Sequence, residues 1–237
     1  GVFTCKEPYG TDASSLFNVL TGYSRPPEYN RFIVAPHDMR SFFERMIEKE
    51  IENSLNGLPC GITVKVNSLV DFDIISLLYK ASQANVPVKL IVRGICCLIP
   101  GLPGISDHIT VYSIVGQLLE HSRIFKFENG GSPKLYMGSA DWMPRNLDRR
   151  VELIFPIENE ELKERGFGIL ETMLNDNLNA RVMQPDTTYQ HIDRRGKTAC
   201  NCQIAFAETA QDAVKHLEEL DKTKPYKPIR NSDLIKE

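Results

Sequence analysis

Residues 62–92 read ITVKVNSLVDFDIISLLYKASQANVPVKLIV, and this stretch decides the fold. Ile62, Val64 and Val66 alternate with other residues, the period of a strand with one buried face. Asp71 is placed to cap a helix running to Ala84, with Ile74, Ile75, Leu78 and Ala81 on its inward face. Val86 to Val92 is a second apolar, β-branched run. Strand, helix, strand at this spacing is a βαβ unit, which predicts a parallel pair joined by a right-handed crossover.

Upstream, Met39, Phe42, Phe43, Met46, Ile47, Ile51 and Leu55 recur at helical spacing. Pro36 suits the first turn of that helix, and Asn56-Gly57 suits its end. Downstream, the proline- and glycine-bearing stretch 95–106 predicts a loop, and 109–115 a third strand. Residues 122–128 and 134–139 predict two strands joined across Asn129-Gly130-Gly131, a hairpin signal. A sixth strand is expected over 150–157, a long helix over 160–179 and another near 208–220. The fold class is α/β, a mixed, partly parallel sheet flanked by helices. Residues 1–30 hold turn signals around one apolar run, Leu16 to Leu20, and read as a connector from a preceding lobe. Gly1 to Cys5 read as a strand already under way, so the chain is expected to be a piece of a longer protein. The expected division is a connector to residue 30, a lobe over 31–205, and a C-terminal helix and tail over 206–237, the tail after Lys222 charged and mobile.

The composition, 42% hydrophobic and 25% charged over 237 residues, is that of a globular protein. A net charge of −3 argues against a nucleic-acid partner held by bulk charge, yet leaves room for an anion bound where cations cluster locally. No apolar run approaches the roughly 20 residues of a membrane-spanning helix. The six cysteines form no CxxC pair; Cys200 and Cys202 with His191 make a weak zinc case, and reduced thiols are the expectation.

Three groups of residues carry chemistry. The first is Glu120-His121-Ser122-Arg123-Ile124-Phe125-Lys126-Phe127-Glu128. Side chains two apart on a strand share a face, so His121 and Arg123 would point the same way, with Phe125 and Phe127 beneath. An imidazole beside a fixed guanidinium suits handling a phosphoryl group; a histidine that only caps the hairpin would occupy the same place. The second group runs from Gly138 and Ser139 through Asp141, Arg145, Asn146 and Asp148 to Arg149 and Arg150. A small-residue turn beside clustered arginines fits phosphoryl transfer, which rests on positioning and charge. The plainer alternative is that these arginines pair with Asp141, Asp148 and Glu152 on the surface. The third is Arg93-Gly94 at a strand C-terminus, where open α/β sheets gather ligands, with Lys65 and Asn67 on the same edge. Solvated strand-end polar groups are the alternative there, above all for Lys65. No Walker, HExxH, GxSxG or protein-kinase motif is present, so a bound ATP would not sit in a P-loop.

Val66 to Asp71, Leu90 to Cys97, Leu119 to Arg123 and Gly138 to Glu152 together resemble the last domain of the polyphosphate kinase family, and Asn18 to Tyr23 resembles the connector before it. The similarity runs from about residue 10 to about residue 205. The resemblance implies a phospholipase-D-like fold, in which two lobes face each other and each brings an HxK(x)4D motif followed by GS. Here His121 holds the histidine place, Arg123 replaces the lysine, Glu128 replaces the aspartate and Gly138-Ser139 matches GS. It also implies reversible phosphoryl transfer between ATP and inorganic polyphosphate through a phosphohistidine formed in a preceding lobe outside this sequence. His121 would then act as acid/base or support the phosphohistidine. Arg93 and Arg150 would contact nucleotide phosphates, aided by Arg123 and Ser139, with Asn67, Asp141, Arg145, Asn146 and Glu128 in support. The same resemblance implies Mg²⁺ with its ligands in the preceding lobe, ATP or ADP and polyphosphate as partners, the upstream lobe of the same polypeptide, and a homo-oligomer. A cytoplasmic location is expected, with peripheral contact at the inner membrane face as a further expectation. This piece alone is expected to be inactive. Two other readings use the same residues: a phospholipase-D-like phosphodiesterase or nuclease, and a non-catalytic polyphosphate-binding module.

Overall fold

The computed structural model describes residues 1–25 and 27–223. The expected charged tail lies outside the described residues. Among them, nine strands form one mixed sheet in the order β1-β7-β6-β5-β2-β3-β4-β8-β9. The βαβ unit is present as read. β2 (Ile62–Val66) and β3 (Val88–Val92) are parallel, with Ile62 opposite Val88, and α3 (Phe72–Gln83) connects them. The Asp71 carboxylate accepts the Ile74 N–H and caps α3 as expected. β4 (Ile109–Ile114) continues the parallel set. β5 (Ile124–Phe127) runs antiparallel to β2 on its other side, then pairs with β6 (Lys134–Gly138), and β6 pairs with β7 (Glu152–Pro156).

Residue alternation sorts the sheet's two faces. Leu90 and Val92 enter a core with Met39, Phe43 and Ile47 of α2 (Met39–Leu55) and with Ile74 and Leu78 of α3. Ile91, between them in sequence, enters the opposite core, with Leu170 and Met173 of α5 (Glu160–Leu174) and Cys202. Three layers result, with the sheet in the middle.

Several elements differ from expectation. Gly1 to Lys6 form no strand; α1 (Glu7–Leu20) follows, held by buried Asp12, which accepts the N–H groups of Asn30, Arg31 and Phe32. Pro36 sits in the turn before α2 rather than in its first turn. β1 (Ile33–Ala35), β8 (Ala180–Met183), β9 (Tyr189–His191) and the short α4 (Pro144–Asp148) carry no period a sequence pattern could show at three to five residues each. The C-terminal helix α6 (Cys202–Thr223) begins earlier than expected, where Asp176 accepts the Cys202 N–H.

Strand directions bring many chain ends to one edge of the sheet. β2 and β3 end there, β5 begins there, β6 ends there and β7 begins there. Trp142, fully buried against Phe43 and Phe125, fastens the segment after β6 to the core. Gly138 is required for β6 to approach β7, because a Cβ there would collide with the Leu153 carbonyl oxygen. Phe43→Ala is expected to lower unfolding free energy by about 3–5 kcal/mol in urea melts, whereas Leu55→Ala at an exposed site shifts it by about 0.5 kcal/mol or less.

Candidate functional site

Beyond the sheet edge the loops continue to pair. The Leu69 N–H reaches Ile95 O and the Cys97 N–H reaches Leu69 O, while the Val70 and Asp71 N–H groups both reach Trp142 O. The Gly94 N–H donates to Asn67 O, and any Cβ at Gly94 would lie 2.9 Å from that oxygen. The segments after β2, β3 and β6 therefore form one braced ledge.

On the ledge five residues close a ring. The buried Asp141 carboxylate accepts the Asn67 backbone N–H at 2.7 Å and grips Arg123 through Nε and Nη2 at 3.1 and 3.0 Å. Arg123 Nη1 donates to the His121 carbonyl at 2.7 Å. Arg93 Nη2 lies 3.3 Å from His121 Nδ1. Arg93 also donates to Asn67 Oδ1 through Nε and Nη2, at 2.9 and 2.6 Å, and the ring returns to Asp141. A guanidinium can only donate, so the Arg93 contact requires a lone pair on Nδ1 and leaves the ring proton of neutral His121 on Nε2. Partial burial, then the charges of Arg123 and Arg93, hold His121 below the ordinary imidazole range; Asp141 opposes them in part. The site therefore presents a neutral imidazole with an N–H to offer.

A second layer supports the histidine. Lys65, the one charged residue of β2, is buried and meets Glu120 Oε2 at 2.7 Å and Ser122 O at 3.2 Å. Glu120 Oε1 accepts the Ser122 N–H. Burial raises the Glu120 pKa, but Lys65 and Ser122 outweigh it and the carboxyl lies below its usual range. Lys65 is thus not the solvated strand-end group that was one reading of it.

Of the residues singled out in the sequence, the structure brings Asn67, Arg93, His121, Arg123 and Asp141 together. His121 and Arg123 precede β5 rather than lying within it. Glu128 is not in this group. It lies beyond the far end of β5, roughly 17 Å along the chain from Arg123 at the usual strand rise, and pairs with Lys126. The Ser139 hydroxyl donates to Glu152 and accepts the Leu153 N–H, and the Asn146 amide donates to the other Glu152 oxygen. Ser139 and Asn146 thus stand as braces between β6, α4 and β7. Arg145, Arg149 and Arg150 are exposed. The surface pairs that were their alternative are absent among the described residues, because each carboxylate is taken elsewhere: Asp141 by Arg123, Glu152 by Ser139 and Asn146, and Asp148 by Arg40. These three arginines lie on α4 and between it and the start of β7, at the end of the sheet where β5 begins, and add positive charge to that end in a chain of net negative charge. Arg40 and the pairing of Glu120 with Lys65 escaped the sequence reading, since nothing in the local pattern points to partners so distant in sequence.

These features define an α/β lobe with a histidine-bearing cationic site at one edge of its sheet. The model for "Polyphosphate kinase C-terminal domain 2" matches residues 32–203, and the chain belongs to the polyphosphate kinase family. A polyphosphate kinase of Lactiplantibacillus plantarum is 47% identical over 215 residues, 91% of this chain and 30% of that protein. One of Thermosynechococcus vestitus is 54% identical over 194 residues, 80% of this chain and 26% of that protein. The crystal structure of polyphosphate kinase from Porphyromonas gingivalis superposes with a TM-score of 0.83 at 35% identity, covering 93% of this chain and 33% of that one. The chain thus spans 26–30% of the length of these two curated relatives.

The ring predicts a titration. Because the folded pKa of His121 is depressed, the unfolded chain takes the proton first. Acid should weaken the fold as pH falls from the ordinary imidazole value, about 6.5, toward the folded value. Long-range ¹H–¹⁵N NMR should find the Nε2–H tautomer with a pKa below 6.5, rising in Arg93→Ala as a cation is removed. A His121 pKa at or above 6.5 in the native chain contradicts the ring's electrostatics.

Proposed function

We propose that this chain is the C-terminal catalytic lobe of a polyphosphate kinase. The enzyme moves the terminal phosphate of ATP reversibly to inorganic polyphosphate through a phosphohistidine formed in a preceding lobe. The observation that carries this reading is the closed ring holding a neutral His121 between two guanidinium groups. Phosphoryl transfer needs little from a protein beyond position and charge stabilisation. Arg93 and Arg123 supply fixed positive charge, each immobilised by an acceptor that leaves other N–H groups to a ligand. His121 Nε2–H offers a hydrogen bond, or a proton, to a phosphate oxygen or to the imidazole of the phosphohistidine. Its Nδ1, occupied by Arg93, is unsuited to nucleophilic attack, in keeping with a phosphorylated histidine elsewhere. Arg150 and Arg145 take the flanking phosphates of nucleotide or polymer.

The same reading places the lobe at residues 31–205, with 1–30 as its joint to the preceding lobe, and includes a homo-oligomer in the cytoplasm. The bonds of Asp12 to residues 30–32 support α1 as part of that joint. No described helix is long and apolar enough to cross a membrane. Mg²⁺ belongs to the proposal through phosphate oxygens and the preceding lobe. The ring does not fit a divalent cation, because its single carboxylate, Asp141, is spent on Arg123 and Asn67.

The test uses the full-length enzyme carrying this chain, with ATP formation from polyphosphate and ADP as readout. His121→Ala should cost about 10²–10⁴-fold with the fold retained by circular dichroism. His121→Gln, which keeps an N–H donor, should lose less. Unchanged activity in His121→Ala would reduce His121 to a structural role. Hydrolysis of bis-p-nitrophenyl phosphate without ADP-dependent ATP formation would favour the phosphodiesterase reading.

A further inference from the structure

Arg40, in the first turn of α2, makes more side-chain ion pairs than any other described residue. Its Nη1 and Nη2 meet the two Asp71 oxygens at 3.0 and 2.7 Å, and its Nε and Nη2 meet the two Asp148 oxygens at 2.7 and 2.6 Å. Asp73, largely exposed, lies 3.4 Å from Nη1. Each of the two main partners matters to the site. Asp71 caps α3, and its backbone N–H bonds Trp142 O on the ledge. Asp148 ends α4 and directly precedes Arg149 and Arg150. The Asn146 amide bond to Glu152 and the burial of Leu147 hold the middle of α4, and the Arg40 grip on Asp148 holds its end.

We propose that Arg40 is a positioning residue for the phosphate-binding arginines. It holds the end of α4 in place and occupies Asp148 and Asp71, keeping Arg149 and Arg150 free of carboxylate partners. This rests on the reading of that edge as a phosphate site. The charge logic follows from proximity. Asp148 is adjacent in sequence to Arg149 and already feels its charge. Without Arg40 its carboxylate is free to fold back on Arg149 or Arg150, removing one cation from the rim and leaving a competing anion there. Arg40 itself lies within its carboxylate cage and has no bond to the His121 ring, so its loss should leave the ring's chemistry alone.

The experiment is calorimetric titration of the 237-residue chain with sodium tripolyphosphate at low salt, with thermal melts of every variant. Arg40→Met should weaken binding roughly tenfold, the size of losing one charge-assisted contact. Arg40→Met/Asp148→Asn should recover most of the loss. Arg40→Met/Asp73→Asn, of identical net charge, should not. Recovery in both double variants overturns the proposal in favour of long-range charge alone, and recovery in neither reduces Arg40 to fold support. Wild-type affinity in Arg40→Met also overturns it, leaving the phosphate reading intact. No binding by the wild-type chain overturns the phosphate reading and this inference with it. Should Arg40→Met fail to fold, Arg40→Lys decides. It keeps the charge but cannot fork between two carboxylates, and wild-type affinity there overturns the proposal.

Discussion

The Asp141 carboxylate is the constraint on which the site depends. It is 4% exposed, and a buried charge is costly unless paired and hydrogen-bonded. Arg123 and the Asn67 N–H meet that need, and in meeting it they become fixed themselves. Asn67 then fixes Arg93, and the two arginines fix both ends of His121. Removing the charge at Asp141 would leave Arg123 unanchored on the ledge. The position of Asp141 is secured by its neighbour, since Trp142 is wedged between Phe43 and Phe125. Hydrophobic packing thereby sets the geometry of a polar site some distance from the core's centre.

Charge is sorted as well as placed. The chain is acidic overall, yet among the described residues Arg93 and, at the same end of the sheet, Arg145, Arg149 and Arg150 have no carboxylate partner. The acids nearest to them in sequence are each committed. Asp141 serves Arg123, Asp148 serves Arg40 and Glu152 serves Ser139 and Asn146. Lys65 and Glu120 neutralise each other beneath the histidine turn. What faces solvent is then positive and partly preorganised, the condition under which fixed donors stabilise developing phosphate charge at little reorganisation cost.

The βαβ unit was legible because its period is long and clean, with strand residues alternating and Asp71 at the cap. β5 and β6 were legible from their turn. Three-residue strands such as β1 and β9 show no period, and they form because a neighbour's edge is there to pair with. At the site, motif and strand-end logic found Asn67, Arg93, His121, Arg123 and Asp141. The same logic misplaced Glu128, since four strand residues carry it to the opposite edge. Arg40 was invisible because its partners stand 31 and 108 positions away. Lys65 in ITVKV carried a usable signal, because a charge in a central strand demands a buried partner.

The central claim is that the ring acts as one unit. The direct measurement is a double-mutant cycle between Asp141→Asn and Arg93→Ala on polyphosphate-driven ATP formation by the full-length enzyme. If the ring is a unit, the double variant loses little more than the worse single one, a coupling above about 1 kcal/mol. Losses that simply multiply would show that Asp141 and Arg93 act independently, and would contradict the account.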